Sequence, residues 1–411
     1  MRIAYLCQYF PPEIGAPAAR VSEMSQAWAD QGHDVTVITG LPNHPTGEIP
    51  AAYRGIRFRR EQVGKVHVWR NWLYATPNEG FVKKTISHIS FMVSSAVLST
   101  PRLSGFDVII VSSPTFFSVM TAWFMSRVRR VPFIFEVRDL WPGIFVELGV
   151  LRNRALIRLL EGLEMFLYRA SARVVVVTES FADILRARGV PSAKLATITN
   201  GVDADFFSPA DPDNALRRRH GLQEQFVVLY IGAHGISHAL SRILDAAAAT
   251  RDEGIQWVFV GEGADKAKLL ARAKEMGLTN VTFAPGQPKE LMPAWYAASD
   301  AALVPLRNIP LFESFIPSKM FEIMACARPI IGSVRGEARR ILDASGGAIT
   351  VEPEDAPAIA AAARRLKADP QLRKGMGDSG RRFVMANFDR VELARRYAVL
   401  LESVVEERRR K

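Results

Sequence analysis

The sequence predicts an α/β fold built on two parallel sheets. Strand-like runs alternate with helical runs along the whole chain, as expected for sheets that are covered by helices on both faces. Runs such as Val174-Val175-Val176-Val177 are nearly continuous in β-branched residues, which is typical of parallel strands buried on both faces. The alternation restarts after Asn200-Gly201-Val202-Asp203, so we expect two domains, each with ligands at the carboxyl ends of its strands.

Short apolar runs predict the strands, and longer runs with helical periodicity predict the helices between them. In the first series, the expected strands are 3–6, 34–39, 108–112, 133–137 and 173–178, with helices at 18–31, 116–129 and 154–169. In the second series, the expected strands are 226–231, 257–260, 281–283, 301–305 and 329–332. A last helix, 390–407, has no strand after it and is expected to pack back across the first domain. The expected domains are therefore 1–205, 206–388 and a returning helical segment, 389–411, with a boundary between Asp205 and Pro212.

The composition predicts a cytosolic protein with two full-sized cores. The chain has 411 residues, of which 48% are apolar. Cys7 and Cys326 lie far apart in apolar runs, so we expect buried thiols and a reducing compartment. Met1-Arg2 leads directly into a strand with no signal peptide, and no apolar run reaches the roughly 20 residues that span a bilayer as a helix.

A basic stretch points to a membrane partner. The formal net charge is +11, and the clearest basic region, 54–84, is interleaved with Trp and Tyr. The largely apolar helical segment 85–98 follows, and its polar positions recur at helical spacing. This combination predicts contact with an anionic lipid surface, although a core helix beside a solvated basic loop is the alternative. Nucleic acid is not expected as a partner, because no recognisable binding module accompanies the charge.

The most informative stretch, 317–331, reads as a loop, a short helix and a strand. Pro317 ends the preceding segment, Ser318 is a favourable helix N-cap, and free amides there can bind an anion such as a diphosphate. One turn later, Glu322 can accept hydrogen bonds from the vicinal hydroxyls of a sugar. The stretch therefore predicts a nucleotide-sugar site, the alternative being an ordinary capped helix with a solvated Glu.

Glycines join two further strands to helices. Gly15 follows the first strand, and Gly232 and Gly235 follow a strand of the second domain, so backbone amides can approach a ligand there. His234 is expected to donate to phosphate or sugar oxygens. Its spacing to His238 would suit a helical metal site, but no third ligand has suitable spacing, so no metal is expected.

Other motifs narrow the chemistry to group transfer. Arg138 and Asp139 follow a strand where an α/β active site would lie, although a structural ion pair is the alternative. Gly261-Glu262-Gly263 is half of a dinucleotide fingerprint, but Lys266 replaces the third glycine, which argues against NAD. No Ser-His-Asp order, paired carboxylates or Cys-His couple stands out. Cofactor-free group transfer, helped by stabilisation of a leaving diphosphate, is the chemistry that remains.

Six segments carry a family resemblance that runs over nearly the whole chain. In order, they are QYFPPEIGAPAARVSEMSQAWADQGHDVTVITG, GLPNHPTGEI, PFIFEVRDLWPGIFVELG, TNGVDADFF, VGEG and PSKMFEIMACARPII. Together they resemble family 4 of the retaining glycosyltransferases, which have the GT-B fold. PNHPTG and RDLWP further resemble a bacterial branch that builds O-antigen, capsule and exopolysaccharide and includes transferases of N-acetyl-L-fucosamine.

The resemblance implies two Rossmann-like domains that face a cleft, with the C-terminal helix returning to the first domain. It implies that Glu322 holds the ribose of a nucleotide-sugar and that amides near Ser318-Lys319 meet the diphosphate. It also places Gly15 near the donor phosphate and the acceptor, Gly286-Gln287 at the base, and Asn43-His44 in an acceptor loop. Family members need no metal, and their leaving phosphate takes the acceptor proton on the face where the bond breaks, which gives retention.

The sequence departs from the family pattern in three ways. Ser314 stands where many relatives have a Glu eight residues before the ribose Glu, and Arg138-Asp139 stands where many have His-Asp. The usual Arg and Lys of the phosphate loop are missing at the segment that contains His234. We therefore expect Lys319 and His234 to supply the charge on the leaving group.

The sequence as a whole predicts a glycosyltransferase attached peripherally to the cytoplasmic face of the membrane. Its donor would be a UDP-sugar or another nucleotide-sugar, and the branch suggests an N-acetylated deoxysugar. Its acceptor would be a lipid-diphosphate-linked saccharide, and residues 54–98 would hold the enzyme at the bilayer. A nucleotide-sugar 2-epimerase, or a non-catalytic nucleotide-sugar-binding scaffold at the membrane, are the alternatives.

Overall fold

The computed structural model describes residues 1–13, 16–44, 46–77, 81–113, 115–143, 146 and 151–410. The chain separates into two compact units, each described by itself below. Unit 1 comprises Met1–Thr199 together with Val391–Lys411, and unit 2 comprises Asn200–Arg390.

Unit 1 contains an eight-stranded sheet in the order β3-β4-β2-β1-β5-β6-β7-β8. Its strands are β1 Arg2–Leu6, β2 Asp34–Gly40, β3 Phe58–Val63, β4 Val66–Asn71, β5 Val108–Ser112, β6 Phe133–Val137, β7 Arg173–Val176 and β8 Leu195–Thr197. Its helices are α1 Ala16–Asp30, α2 Phe81–Ser99, α3 Phe116–Arg129, α4 Arg154–Ala170 and α5 Glu179–Ala187. All pairings are parallel except that of β3 with β4, so the expected parallel α/β sheet is confirmed for this unit.

The β3–β4 hairpin occupies part of the basic stretch that the sequence assigned to a lipid surface. Trp69 and Arg70 lie on β4 and are buried, and Arg70 Nε forms an ion pair with Glu61 Oε1 at 2.6 Å. These two residues therefore belong to the sheet rather than to a lipid-facing surface, and the interpretation of the stretch as one continuous basic aromatic surface is wrong for them. Trp72 and Tyr74, just after the hairpin, are exposed.

The last helix, α14 (Arg390–Arg409), packs in unit 1 as the sequence predicted. Trp28 on α1 donates from Nε1 to the Ala394 carbonyl at 2.9 Å, and its ring meets Tyr397 edge-on at 5.2 Å between centroids. Leu401 and Val405 of α14 are buried in the same apolar cluster as Ile3 and Val35. This helix therefore covers a face of the unit 1 sheet.

Unit 2 contains a six-stranded, fully parallel sheet in the order β11-β10-β9-β12-β13-β14. Its strands are β9 Phe226–Ile231, β10 Ile255–Val260, β11 Val281–Ala284, β12 Ala301–Pro305, β13 Ile330–Ser333 and β14 Ala348–Val351. Its helices are α6 Ala215–Arg219, α7 Leu240–Ala248, α8 Lys266–Glu275, α9 Met292–Ala297, α10 Lys319–Ala325, α11 Gly336–Ser345, α12 Ala356–Ala368 and α13 Pro370–Asn387. Two apolar clusters fill the two faces of this sheet, because alternate strand residues such as Val227 and Val228 point to opposite sides.

In the part of the chain that the structure describes, no helix combines the length and the apolar character that crossing a membrane requires.

Candidate functional site

Glu322 lies in the first turn of α10 and has one neutral partner. Tyr296 on α9 donates its hydroxyl to Glu322 Oε2 at 2.8 Å. No described residue donates to the second oxygen, Oε1, and the carboxylate is half-buried, so it retains capacity for ligand hydroxyls. Burial raises the pKa of Glu322, while the Tyr296 hydrogen bond and Lys319 act in the opposite direction. A carboxylate held from one side in this way can accept two adjacent hydroxyls from the other.

Ser318 precedes α10, but its side chain makes no capping hydrogen bond to the helix, contrary to the expectation from sequence. Its backbone is already in the right-handed helical region, whereas an N-cap residue usually adopts an extended conformation from which its oxygen can reach the next amides. Instead, Asn200 Nδ2 donates to Ser318 Oγ at 3.3 Å. Pro317 before it is partly buried, as expected for the end of the preceding loop.

Lys319 is a buried cation without a counter-ion in direct contact. Its Nζ has no hydrogen-bond partner among the described residues and lies 4.1 Å from the centroid of the Tyr230 ring. Burial lowers the pKa of Lys319 to about 7, and Glu322 offsets this only in part. A buried, unpaired ammonium is costly, so an anion beside Lys319 would favour its charged form.

Gly232 makes room for this cation. A Cβ at this position would lie 2.6 Å from Lys319 Nζ, and the φ of +143° is one that side chains rarely adopt. At Gly235, by contrast, φ is −127° and no heavy atom lies within 4 Å of an added Cβ. Of the two glycines predicted from the sequence, Gly232 is the one whose missing side chain the packing requires.

His234 and His238 both lie near Lys319. The His234 ring is fully buried beside Phe259 and Phe283, and neither of its nitrogens has a hydrogen-bond partner among the described residues. Burial and, to a smaller extent, the charge of Lys266 lower the pKa of His234. His238 Nδ1 lies 3.1 Å from the Pro305 carbonyl oxygen, and burial together with Lys319 lowers the pKa of His238 to about 4. Both imidazoles are therefore neutral at pH 7 in this structure.

The remaining predicted donor-site residues of unit 2 have local partners. Gly286 N donates to Glu262 Oε1 at 3.1 Å, and Gln287 Nε2 donates to the Pro285 carbonyl at 3.0 Å. Ser314 Oγ donates to the Leu311 carbonyl at 2.9 Å within the turn Pro310–Ser314. Ser314 is buried, so it does not present a free hydroxyl in the way that the Glu of other family members would present a carboxylate.

In unit 1, Arg138 and Asp139 follow β6, beside a buried ion pair. Arg20 Nη2 lies 3.2 Å from Glu136 Oε2, and Glu136 Oε1 accepts from Tyr5 and Ser112. Burial and, to a smaller extent, the charge of Arg20 lower the pKa of Arg138. Burial raises the pKa of Asp139. Both residues are thus at the carboxyl end of the strand, as the sequence predicted, and their roles in chemistry stay a prediction.

The predicted acceptor loop is held by Glu13. Its Oε1 accepts from the backbone amides of Asn43 and His44, both at 2.9 Å, and its Oε2 accepts from the Phe10 amide at 3.2 Å. Asn43 Nδ2 also donates to the Leu41 carbonyl, so this side chain is engaged within the loop. Gly15, the other predicted residue of this region, lies outside the described residues.

Two family models together cover most of the chain. A glycosyl transferase 4-like domain matches residues 15–201, and the glycosyl transferases group 1 domain matches residues 213–383. The chain is a glycosyltransferase. The models support the enzyme interpretation over the non-catalytic scaffold that the sequence left open.

Individual relatives agree with this assignment. The glycosyltransferase is 28% identical over 366 residues to the putative colanic acid biosynthesis glycosyl transferase WcaI of Escherichia coli K12, a match that covers 87% of this chain and 89% of the relative. Sucrose-phosphate synthase from Thermosynechococcus elongatus has a TM-score of 0.78 at 20% identity and 99% coverage of both chains. Anabaena HepE, solved with UDP and glucose, has a TM-score of 0.74 at 16% identity, with coverage of 98% of this chain and 99% of that one. These structural matches confirm the GT-B fold.

Several polar residues of the glycosyltransferase sites were not singled out from the sequence. Tyr296 and Tyr230 come from α9 and β9, and their contacts with Glu322 and Lys319 depend on tertiary packing. Glu13 belongs to the segment PPEIG. Its position after a predicted strand is the one sequence signal that could have identified it as a site residue. Among the described residues, no group of three His, Cys, Asp or Glu side chains could hold a metal ion. Independence from metal stays a prediction.

Proposed function

We propose that the enzyme transfers a sugar from a nucleotide-sugar, with UDP as the nucleotide, to a lipid-diphosphate-linked saccharide during synthesis of a bacterial surface polysaccharide. The printed name of the Escherichia coli relative, which refers to colanic acid biosynthesis, supports the polysaccharide assignment. The UDP and glucose in the Anabaena HepE structure support the choice of nucleotide. The main support for the donor site is the carboxylate of Glu322, which Tyr296 holds through one oxygen while the other stays available, beside the unpaired Lys319.

In this proposal, unit 2 binds the donor. Glu322 accepts the two ribose hydroxyls, and the Lys319 ammonium, for which Gly232 leaves room, meets the diphosphate. A diphosphate would raise the pKa of Lys319, because an opposite charge favours the protonated form. Lys319 is then fully charged when the donor is bound.

The transfer step breaks the bond between the anomeric carbon and the β-phosphate oxygen and forms a bond from that carbon to the acceptor oxygen. The acceptor proton passes to the leaving phosphate, whose growing negative charge Lys319 stabilises. Loss of one such charge contact commonly lowers turnover by roughly tenfold to a thousandfold. If departure and attack share one face of the sugar, the configuration is retained, as the family resemblance implies. The resemblance also favours an N-acetylated deoxysugar as the transferred group.

The surface of α2 supports membrane attachment. Four serines of this helix face inward: Ser99 Oγ donates to Asn71 Oδ1 at 2.9 Å, and Ser94 Oγ donates to the Trp72 carbonyl. Its aliphatic side chains face outward instead, which is the reverse of the usual pattern for a helix of a soluble protein. The outward residues are Val82, Ile86, Ile89, Val93 and Val97, and the inward serines are Ser87, Ser94, Ser95 and Ser99.

The neighbouring helix α3 shares this character. Thr121 on α3 donates to the Met92 carbonyl of α2 at 2.8 Å, and α3 exposes Phe124 and Val128. Neither α2 nor α3 contains an Asp or Glu, while exposed Lys83 and Arg127 are basic. An apolar, exposed and cationic surface suits the interface of an anionic bilayer, so we place the enzyme peripherally on the cytoplasmic face of the membrane.

Three measurements test the proposed function. A thermal-shift screen with UDP, GDP and dTDP should show stabilisation by UDP, and Glu322→Gln should remove it; stabilisation by GDP alone would overturn the choice of nucleotide. Product formed only in the presence of a lipid-linked acceptor supports the transferase, whereas donor conversion without acceptor would identify a 2-epimerase. Flotation with vesicles of phosphatidylglycerol, but not with phosphatidylcholine alone, supports the membrane assignment, and no binding to either ends it.

A further inference from the structure

The proposed donor chemistry does not use a cluster of cationic and aromatic side chains in unit 1. The rings of Tyr9 and His44 lie 5.1 Å apart between centroids, and the Tyr9 hydroxyl lies 3.5 Å from His88 Nε2. Lys84, one turn before His88 on α2, is close enough to lower the pKa of both histidines. Three different segments thus bring their polar groups together: the loop after β1, the loop after β2 and the start of α2.

The cluster carries positive charge without an internal counter-charge. Lys84 is half-buried, and it has no hydrogen-bond or ion-pair partner within the described ranges. Among the described residues, the acidic group whose charge acts on Tyr9 is Glu13. Its two oxygens accept from three backbone amides, so it holds the loop of His44 in place, and among the described residues it forms no ion pair with Lys84.

Both histidines of the cluster are held in the neutral form by burial and by Lys84. Burial, followed by Lys84, lowers the pKa of His88 to about 4 and also lowers the pKa of His44. Both rings are therefore neutral at pH 7 while the cluster is empty. An anion placed among them would favour their charged forms and would gain two further hydrogen-bond donors together with Lys84.

The position of the cluster indicates where such an anion comes from. Lys84 and His88 lie on the half of α2 that points into unit 1, whereas Val82, Ile86 and Ile89 on the same turns are exposed. A ligand with a phosphate head and a hydrocarbon chain matches both sides of this helix at once. A sugar alone would leave the cationic side unmatched.

We propose that Tyr9, His44, Lys84 and His88 form a subsite for the diphosphate of a lipid-held acceptor. The inference rests on the proposed function for its choice of a lipid-linked ligand, but the subsite itself is defined by the diphosphate chemistry. Lys84 provides a positive charge, and the two imidazoles and the phenol provide donors. The apolar face of α2 then meets the membrane from which the lipid is presented.

The test uses the full chain with 13C-labelled histidine, saturated with UDP so that the donor site is occupied. Inorganic pyrophosphate is titrated in one arm, and farnesyl diphosphate in phosphatidylcholine vesicles in the other. The ring signals of His44 and His88, assigned with His44→Gln and His88→Gln, should move in both arms, and their titration midpoints should rise by about 1–3 pH units. The signals of His234 and His238 should not follow the titration.

Two neighbouring lysines provide a matched pair of variants. Lys84→Ala should weaken pyrophosphate binding by roughly tenfold or more, as expected for loss of a charge-assisted contact. Lys83→Ala removes the same charge from the same turn, but its side chain is exposed, so binding should change by less than about twofold. Equal losses of pyrophosphate affinity in the two variants would show that only the net positive charge of this region matters, and would overturn the subsite.

The wild-type titration keeps the inference falsifiable even if Lys84→Ala does not fold. No movement of His44 and His88 in either arm overturns it. Movement with pyrophosphate alone overturns the lipid assignment of the subsite. If the ring signals move in both arms but the enzyme does not use a lipid-linked acceptor, the diphosphate subsite stands and the proposed function is wrong. If the enzyme turns over with a lipid-linked acceptor but the ring signals do not move, the proposed function stands and the subsite is wrong.

Discussion

Tyr296 and Glu322 form a hydrogen bond of 2.8 Å between α9 and α10, and it is the single protein contact that holds the carboxylate among the described residues. The phenol donates to Oε2 and leaves Oε1 available. The Tyr296 hydroxyl is buried, so it is not replaced by water in the folded protein. The direction of the carboxylate therefore depends on this one donor.

We predict that Tyr296→Phe weakens donor binding more than it lowers stability. A hydrogen bond to a charged group contributes about 1.5–3 kcal/mol, so KM for the donor should rise by roughly ten- to a hundredfold while KM for the acceptor stays unchanged. Tyr168→Phe is the matched control, because Tyr168 donates to Glu164 at 2.6 Å in unit 1. Steady-state kinetics with each substrate varied would contradict the prediction if the two variants behaved alike.

Lys319 should make stability depend on pH in the absence of nucleotide. Its pKa of about 7 in the folded protein lies below the unfolded value of about 10.4, so the unfolded chain binds more protons between these limits. The contribution of Lys319 to the free energy of unfolding therefore rises with pH across this window. Lys319→Met should remove this rise and stabilise the ligand-free protein at pH 7, while turnover falls. Urea unfolding at several pH values checks the prediction.

The same group should couple UDP binding to proton uptake. At pH 7.5 part of the Lys319 population is neutral, and the diphosphate would restore its charge. Titration calorimetry in buffers of different ionisation enthalpy should show uptake in the wild type and less in Lys319→Met. His234 and His238 face the same region, so their variants His234→Gln and His238→Gln separate the sources of the proton. Equal uptake in the wild type and Lys319→Met would exclude Lys319.

Gly232→Ala should be far more damaging than Gly235→Ala. The added methyl group would lie 2.6 Å from Lys319 Nζ at a φ of +143°, so the lysine has to move. We expect a loss of UDP-induced thermal stabilisation in Gly232→Ala. Gly235→Ala should retain the melting temperature of the wild type, because nothing lies within 4 Å of its methyl group. Similar melting curves with UDP for both variants would show that the space around Lys319 is not limiting.

The buried pair Arg20–Glu136 should govern the acid stability of unit 1. Burial alone would raise the pKa of Glu136, but Arg20 and its hydrogen bonds outweigh this and lower it. The stabilisation is therefore present above the unfolded pKa of about 4.3 and is lost as pH falls through the folded value. Arg20→Met should cost about 3–5 kcal/mol at pH 7, because it leaves a buried carboxylate unpaired. The double variant Arg20→Met/Glu136→Leu should recover much of this in urea unfolding; no recovery would argue against an uncompensated charge.

Polar substitutions on the outer face of α2 should reduce membrane binding without reducing stability. Val93→Asn/Val97→Asn removes two exposed aliphatic side chains, so flotation with phosphatidylglycerol vesicles should fall severalfold. Val399→Asn makes the same change at an exposed position of α14 and should leave flotation unaffected. Equal flotation of all three proteins would remove α2 from the membrane contact.

Most of the fold could be predicted because the strands of both sheets are short, apolar and separated by periodic helices. The strands 108–112 and 133–137 and the helix 116–129 agree with the structure to the residue. The β3–β4 hairpin was missed because its strands carry Arg, Glu and His, and Arg70 is buried only through its pairing with Glu61. The burial of Arg70 depends on a partner nine residues away, so the sequence of β4 shows no apolar pattern at this position.

The sites were predictable where a local pattern carries the chemistry. Glu322 and Lys319 stand one turn apart in a short helix, so the sequence shows them together. Tyr296, Tyr9 and Lys84 meet their neighbours only through packing between segments, which no spacing rule encodes. The serines of α2 could be placed on one face by their periodicity, but the same spacing fits a helix turned either way.

The distribution of unit 1 along the chain has a consequence for how the protein is made. Trp28 near the start is covered by Ala394 and Tyr397 near the end, with all of unit 2 in between. During synthesis, unit 2 can complete its sheet before α14 has been made. The sheet of unit 1 has an exposed apolar face until α14 packs against it. Chains that stop short of residue 391 would keep that face uncovered, and chaperones would have to shield it.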